Sequence, residues 1–117
     1  MLSELTTLKW ENRIILVNAT QNKDNVVTLF EQNKVEINDR DIIWFVIKNG
    51  RVTTNFTGNL TKGFLPDTRE KYMSGQGKVI LIGKDGGIKS RRDSLDLNSI
   101  FLEIDAMPMR QLEMQNQ

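Results

Sequence analysis

The chain has 117 residues, 38% hydrophobic and 26% charged, with a formal net charge of +1. That size and mix suit one globular domain with a real core, and the balanced charge argues against nucleic acid or an anionic membrane as the main partner. Cysteine and histidine are both absent, which excludes disulfides, thiolate nucleophiles, Cys- or His-ligated metals and Ser-His-Asp triads.

The start, Met1 to Leu5, lacks the basic and apolar regions of a signal peptide. On this reading the protein is cytoplasmic or the chain begins after a removed signal. No apolar run approaches the roughly 20 residues of a membrane span. Arg13 to Val17 is a short, β-branched apolar run, predicting a central strand buried on both faces. After a polar turn, Asp24 suits the cap of a helix that turns Val26, Val27, Leu29 and Phe30 inward and ends near Asn33-Lys34.

Asp41 to Lys48 is the strongest strand signal in the chain. Strand, helix and strand make a βαβ unit, whose crossover is right-handed in nearly all cases. Asn49-Gly50 tolerates positive φ at both positions, so Arg51 to Phe56 is expected to fold back as a polar edge strand. Thr57 to Leu65 reads as a loop. A short helix from Pro66 to about Ser74 follows, with Gly75 at its end.

Lys78 to Ile82 reads as another apolar strand, and Gly83 to Gly87 as a tight turn into a second hairpin strand at Ile88 to Arg91. Asp96 is a suitable N-cap for a helix that places Leu97, Ile100, Phe101 and Ile104 on one face. Pro108 is expected to stop that helix, leaving residues from about 111 to 117 as a frayed tail of the single domain 1–117. The order is β-α-β-(β)-α-β-β-α, a mixed central sheet flanked by helices. A βαβ half followed by a ββα half is the thioredoxin-like layout.

Four strings carry a resemblance to a known family. They are Trp10-Glu11-Asn12-Arg13 running into Ile14 to Val17, Asp39-Arg40-Asp41, Gly83 to Lys89, and Ile104-Asp105-Ala106-Met107-Pro108-Met109-Arg110. Together they resemble the domain of unknown function 4174, found in exported bacterial proteins and in animal extracellular proteins of the sushi-repeat type. The resemblance implies a thioredoxin- or peroxiredoxin-like fold and a periplasmic or secreted home, and carries no established activity. Where redox thioredoxins hold their cysteines, this chain has Asn18 to Asp24. Where they hold a cis-proline, it reads Gly75-Gln76-Gly77-Lys78. Thiol-disulfide exchange and cysteine-based peroxide reduction are thus excluded.

Strand direction then makes a geometric prediction. In a thioredoxin-like topology the starts of the first two strands, the exit of the Lys78 strand and the end of the last helix meet at one pole, opposite the vacated redox position. The pole would gather Arg13, Arg40, Asp41, Lys84, Asp85, Gly86, Gly87, Lys89, Asp105 and Arg110. Opposite charges this close form hydrogen-bonded ion pairs, so the pole is either a structural clamp or a binding surface for a protein or small anionic ligand. The alternative is a cysteine-independent enzyme using the Lys84-Asp85 hairpin. Gly86-Gly87 offers backbone amides to a phosphate, against the commoner role of supplying positive φ in a hairpin.

No catalytic residue, metal site or cofactor fingerprint is assigned. The basic run Lys89, Arg91, Arg92 reads as a solvated face. Trp10 and Trp44 read as core or pole packing, Met107 as core and Met109 as an adaptable contact surface. The Arg51 to Phe56 edge or the Met-rich tail would serve a homodimer. Three N-glycosylation sequons, at Asn18, Asn55 and Asn59, read as turn and edge residues.

Overall fold

Arg13–Asn18 (β1) is apolar on both faces because both faces are covered. Ile15 and Val17 enter one hydrophobic cluster, and Ile14 and Leu16 enter another. Each fully buried aliphatic of this kind contributes about 2 kcal/mol of transfer free energy. The computed structural model describes residues 1–19, 23–75 and 77–116, the Lys23 side chain excepted.

After β1, the helix Lys23–Gln32 (α1) carries Phe30 into the core. Asn33 interrupts it by donating its side-chain amide to the Leu29 carbonyl at 2.8 Å. The chain restarts as Lys34–Asp39 (α2). Ile42–Lys48 (β2) lies parallel to β1, with Arg13 opposite Ile42 and Asn18 opposite Ile47. Asn49 and Gly50, at φ 52° and 74°, turn the chain into Arg51–Thr54 (β3), antiparallel to β2. Phe64–Tyr72 (α3) precedes Val79–Ile82 (β4), which pairs antiparallel with β1 and then with Ile88–Arg92 (β5). Leu97–Asp105 (α4) and Pro108–Gln115 (α5) complete the described elements.

The strand order is β3-β2-β1-β4-β5, one mixed five-stranded sheet. One face packs against α1, α2 and α4 around Phe30, Ile37, Trp44, Ile100 and Ile104. The other packs against α3 and the 3-10 turn Leu5–Leu8, around Leu5, Phe45, Phe64 and Ile80. This mixed α/β layout is compatible with a thioredoxin-like fold. Among the described residues no helix is long and apolar enough to cross a membrane.

Several local expectations are corrected. β3 ends at Thr54 rather than Phe56, because the Asn55 side chain takes over the ladder. Its Oδ1 accepts from the Trp44 amide at 2.8 Å and its Nδ2 donates to the Ile42 carbonyl at 3.1 Å. The helix expected from Pro66 begins at Phe64, with Phe64 buried, and ends at Tyr72. Asp24 lies inside the first turn of α1 instead of capping it. Trp44 is buried and stacked on Phe30 at 4.8 Å, whereas Trp10 is 59% exposed, with Lys9 over its ring.

The largest correction is at the end of the chain. Residues expected to fray from about 111 belong to α5, which continues to Gln115. Pro108 stops α4 and also starts the next helix, a position where its missing N–H costs nothing. Thr20, Gln21 and Asn22, in the stretch compared with the thioredoxin cysteines, and Gln76, in the stretch compared with their cis-proline, lie outside the described residues.

Candidate functional site: the charged pole

β1 opens with Arg13, on the same side of the strand as Ile15, and the side chain is 1% exposed. A buried guanidinium requires acceptors, and they arrive from far along the chain. Its Nη1 donates to the Arg40 carbonyl at 3.0 Å and to Oε1 of Glu113 at 3.0 Å. Its Nη2 donates to the other Glu113 oxygen at 3.1 Å. This is the bidentate arginine–carboxylate geometry, the strongest form of side-chain ion pair.

Asp41 sets the neighbouring strand. It adopts φ 54°, a left-handed conformation that aspartate tolerates better than most residues. The kink closes α2, with the Asp41 amide on the Asn38 carbonyl at 3.1 Å, and points the Asp41 carbonyl at the Arg13 amide at 3.0 Å. The Asp41 carboxylate accepts from Lys84 Nζ at 2.9 Å, and the same ammonium reaches Glu113 Oε2 at 2.8 Å. Lys84, at the exit of β4, is buried, while Asp41 is exposed and Glu113 half-buried.

Arg40 and Arg110 share Asp105, the last residue of α4. Arg40 donates Nε and Nη2 to its two oxygens at 3.1 and 2.8 Å, while Arg110 Nε reaches Oδ1 at 3.1 Å. Arg40 also grips Glu36 one turn back, at 2.9 Å, and lies over the Phe101 ring at 4.5 Å. Arg110 closes onto Asp39, with Nη1 on the carbonyl at 3.0 Å and Nη2 on the carboxylate at 2.5 Å.

The electrostatics follow from this pairing. Burial alone would raise the Asp105 carboxyl, but hydrogen bonds from Arg40 and Arg110 outweigh it and hold the group below the usual carboxylate range. Burial likewise opposes ionisation of Glu113, and Arg13 with Lys84 overcomes it in the same way.

Of the residues expected at the pole, Arg13, Arg40, Asp41, Lys84, Asp105 and Arg110 lie in one connected network with Glu113. The remaining four form a separate, local unit in the β4–β5 turn. Asp85 pairs with Lys89 at 2.8 Å and accepts the Gly87 amide at 3.0 Å. Lys89 first, and that amide second, pull the Asp85 carboxyl down. The Gly86 amide is already given to the Gly83 carbonyl at 3.0 Å, and Gly86 supplies φ 84° for the turn. Both amides that would meet a phosphate therefore have internal acceptors. At the Lys84-Asp85 hairpin of the enzyme alternative, Lys84 turns to Asp41 and Glu113 while Asp85 turns to Lys89.

Sequence reasoning passed over Glu113, Asp39 and Glu36 as site residues. Glu36 lies four residues before Arg40 and Glu113 three after Arg110, both at helical contact spacing. The signal for Glu113 was Pro108, a helix start that also reads as a helix stop. Away from the pole, a groove of about 730 Å³ runs between α1, α2 and β3, floored by the Phe30–Trp44 stack. Among the described residues no group of three or more acidic side chains is placed to hold a metal ion.

A cysteine-free α/β domain with a mixed five-stranded sheet and a paired ionic pole is the class that the fold and this site define. The model of the domain of unknown function (DUF4174) matches residues 4–113, and the chain belongs to that family. No curated protein and no solved structure matches the chain.

Proposed function

We propose that this domain is a non-redox, thioredoxin-like binding or structural module of an exported protein, with the charged pole as its working surface. The observation that carries the reading is the mutual ion pairing of the pole. Arg13, Lys84, Arg40 and Arg110 each hold at least one carboxylate, and Glu113 and Asp105 each accept from two cations. Acid–base catalysis needs a group poised near the working pH. Glu113 and Asp105 are instead driven further into the ionised range. The absence of cysteine supports the non-redox part, and membership of the family supports the exported context.

Cross-linking mass spectrometry on the full-length protein in its own cells tests both halves. Amine cross-links to a partner are expected at Lys9 and Lys89, beside the pole, in the extracytoplasmic fraction. Lys48 and Lys78, at the far end of β2 and the entry to β4, are the internal control. Cross-links confined to Lys48 and Lys78 would overturn the pole as the working surface, and recovery in the cytoplasm would overturn the exported context.

A further inference from the structure

α5 is attached to the domain in an unusual way. It has 8 residues, and Arg110 is its buried residue. Met109, Leu112 and Met114 are exposed. A helix this short is marginal by itself in water. It is held by Arg110 on Asp39 and Asp105, and by Glu113 on Arg13 and Lys84. Charge pairing, with little apolar burial, keeps it in place.

Glu113 lies between two cations of the sheet. One oxygen sits on Arg13 Nη1, and the other is shared between Arg13 Nη2 and Lys84 Nζ at 3.1 and 2.8 Å. Arg13 opens β1, Lys84 leaves β4, and both are fixed from behind by the Arg40 carbonyl and the Asp41 carboxylate. Arg13 Nε has no hydrogen-bond partner among the described residues, a donor still to be satisfied.

We propose that Arg13 and Lys84 form a carboxylate-binding site which Glu113 fills from within the chain, and which an external carboxylate takes when α5 lifts away about Met107. The charge arithmetic selects the class of ligand. Arg13 and Lys84 bring two positive charges and Asp41 one negative, while Arg110 leaves with the helix. Within hydrogen-bond reach the vacated site thus holds one net positive charge, and Asp39 and Asp105, which Arg110 gives up with the helix, add negative charge nearby that further disfavours a phosphate dianion. The planar, two-oxygen group also fits the guanidinium fork. The ligand is either a small free carboxylate or an acidic side chain of a partner. This inference deepens the reading of the pole as a working surface and rests on it.

Glu113→Ala empties the site without touching Arg13 or Lys84. Melting of the variant is followed in sodium acetate, in sodium chloride and in inorganic phosphate at matched ionic strength, and with a short blocked peptide carrying one glutamate. Acetate is expected to raise the variant's Tm saturably, by about 5 °C near saturation. The peptide does the same if the natural ligand is an acidic side chain, and does nothing if it is a small carboxylate. Wild-type protein should bind acetate at least about tenfold more weakly, because Glu113 competes from the same chain.

If the variant is unfolded in chloride, recovery of its circular dichroism on adding acetate is the equivalent reading. Lys84→Met added to Glu113→Ala should reduce the response several-fold. Equal stabilisation by chloride and acetate, a larger effect from phosphate, or equal acetate affinity in wild type and variant would each overturn the proposal. A failed acetate response beside cross-links at Lys9 and Lys89 removes this site while leaving the pole as the working surface.

Discussion

Glu113 meets Arg13 across 100 residues of chain, both carboxylate oxygens on guanidinium nitrogens at 3.0 and 3.1 Å. The contact ties the last helix to the first residue of the central strand. Removing the carboxylate leaves a cation that is 1% exposed with a single backbone carbonyl as acceptor. Breaking a buried pair from one side costs about 3 kcal/mol. Glu113→Ala is therefore expected to lower stability by about that amount in urea unfolding, and Glu113→Gln, which keeps one acceptor oxygen, by roughly half as much.

Asp85 and Asp105 make a contrasting pair. Asp85 is an exposed partner of Lys89 inside one turn, so Asp85→Ala should cost under about 1 kcal/mol. Asp105 serves two buried arginines, so Asp105→Ala should cost about 3 kcal/mol. Equal losses in paired denaturation curves would contradict the division of the pole into a network and a separate turn.

Acid should unfasten the pole. Glu113 and Asp105 have folded-state pKa values below their unfolded ones. Their stabilisation is complete above the unfolded values, near about 4, and is lost as pH falls through the lower folded values. Their contribution to Tm is expected to be constant from neutral pH down to about 5 and to decline below about 4. Glu113→Gln should shallow that decline, which a pH series of thermal melts would reveal.

Asn55 provides a prediction remote from the pole. Its side chain satisfies the Trp44 amide and the Ile42 carbonyl where β3 has already ended. Asn55→Ala strips both groups of their partner and is expected to cost about 2 kcal/mol. Hydrogen exchange at the Trp44 amide should accelerate in the same variant, while the amide of Ile15 in β1 stays protected.

The sheet was legible because its strands are written in continuous β-branched runs, as at Arg13 to Val17 and Ile42 to Ile47, punctuated by Asn49-Gly50. From the polarity of those strands the pole followed, and Arg13, Lys84, Asp105 and Arg110 lie in the network as expected. α5 was hidden because the side chain it buries is Arg110, while Met109, Leu112 and Met114 stay exposed. A helix held by charge leaves no hydrophobic period to read. Asp85 was read with Lys84 at the pole, and its side chain turns to Lys89 and the Gly87 amide within its own turn, a direction that proximity along the chain does not encode. Trp10 was read as core or pole packing; it is 59% exposed, with Lys9 over its ring.

The two-sided burial of β1 has a further consequence for pairing fidelity. Sliding that strand by one position would swap Ile15 and Val17 for Ile14 and Leu16, oily residues for oily residues, so hydrophobicity alone scarcely penalises the error. Arg13 does penalise it, since a displaced guanidinium loses Glu113 and the Arg40 carbonyl together. The ionic pole thus works as an index pin for the whole sheet, and Arg13→Leu should yield a protein with multiple amide resonances for single β1 residues, the mark of competing alignments.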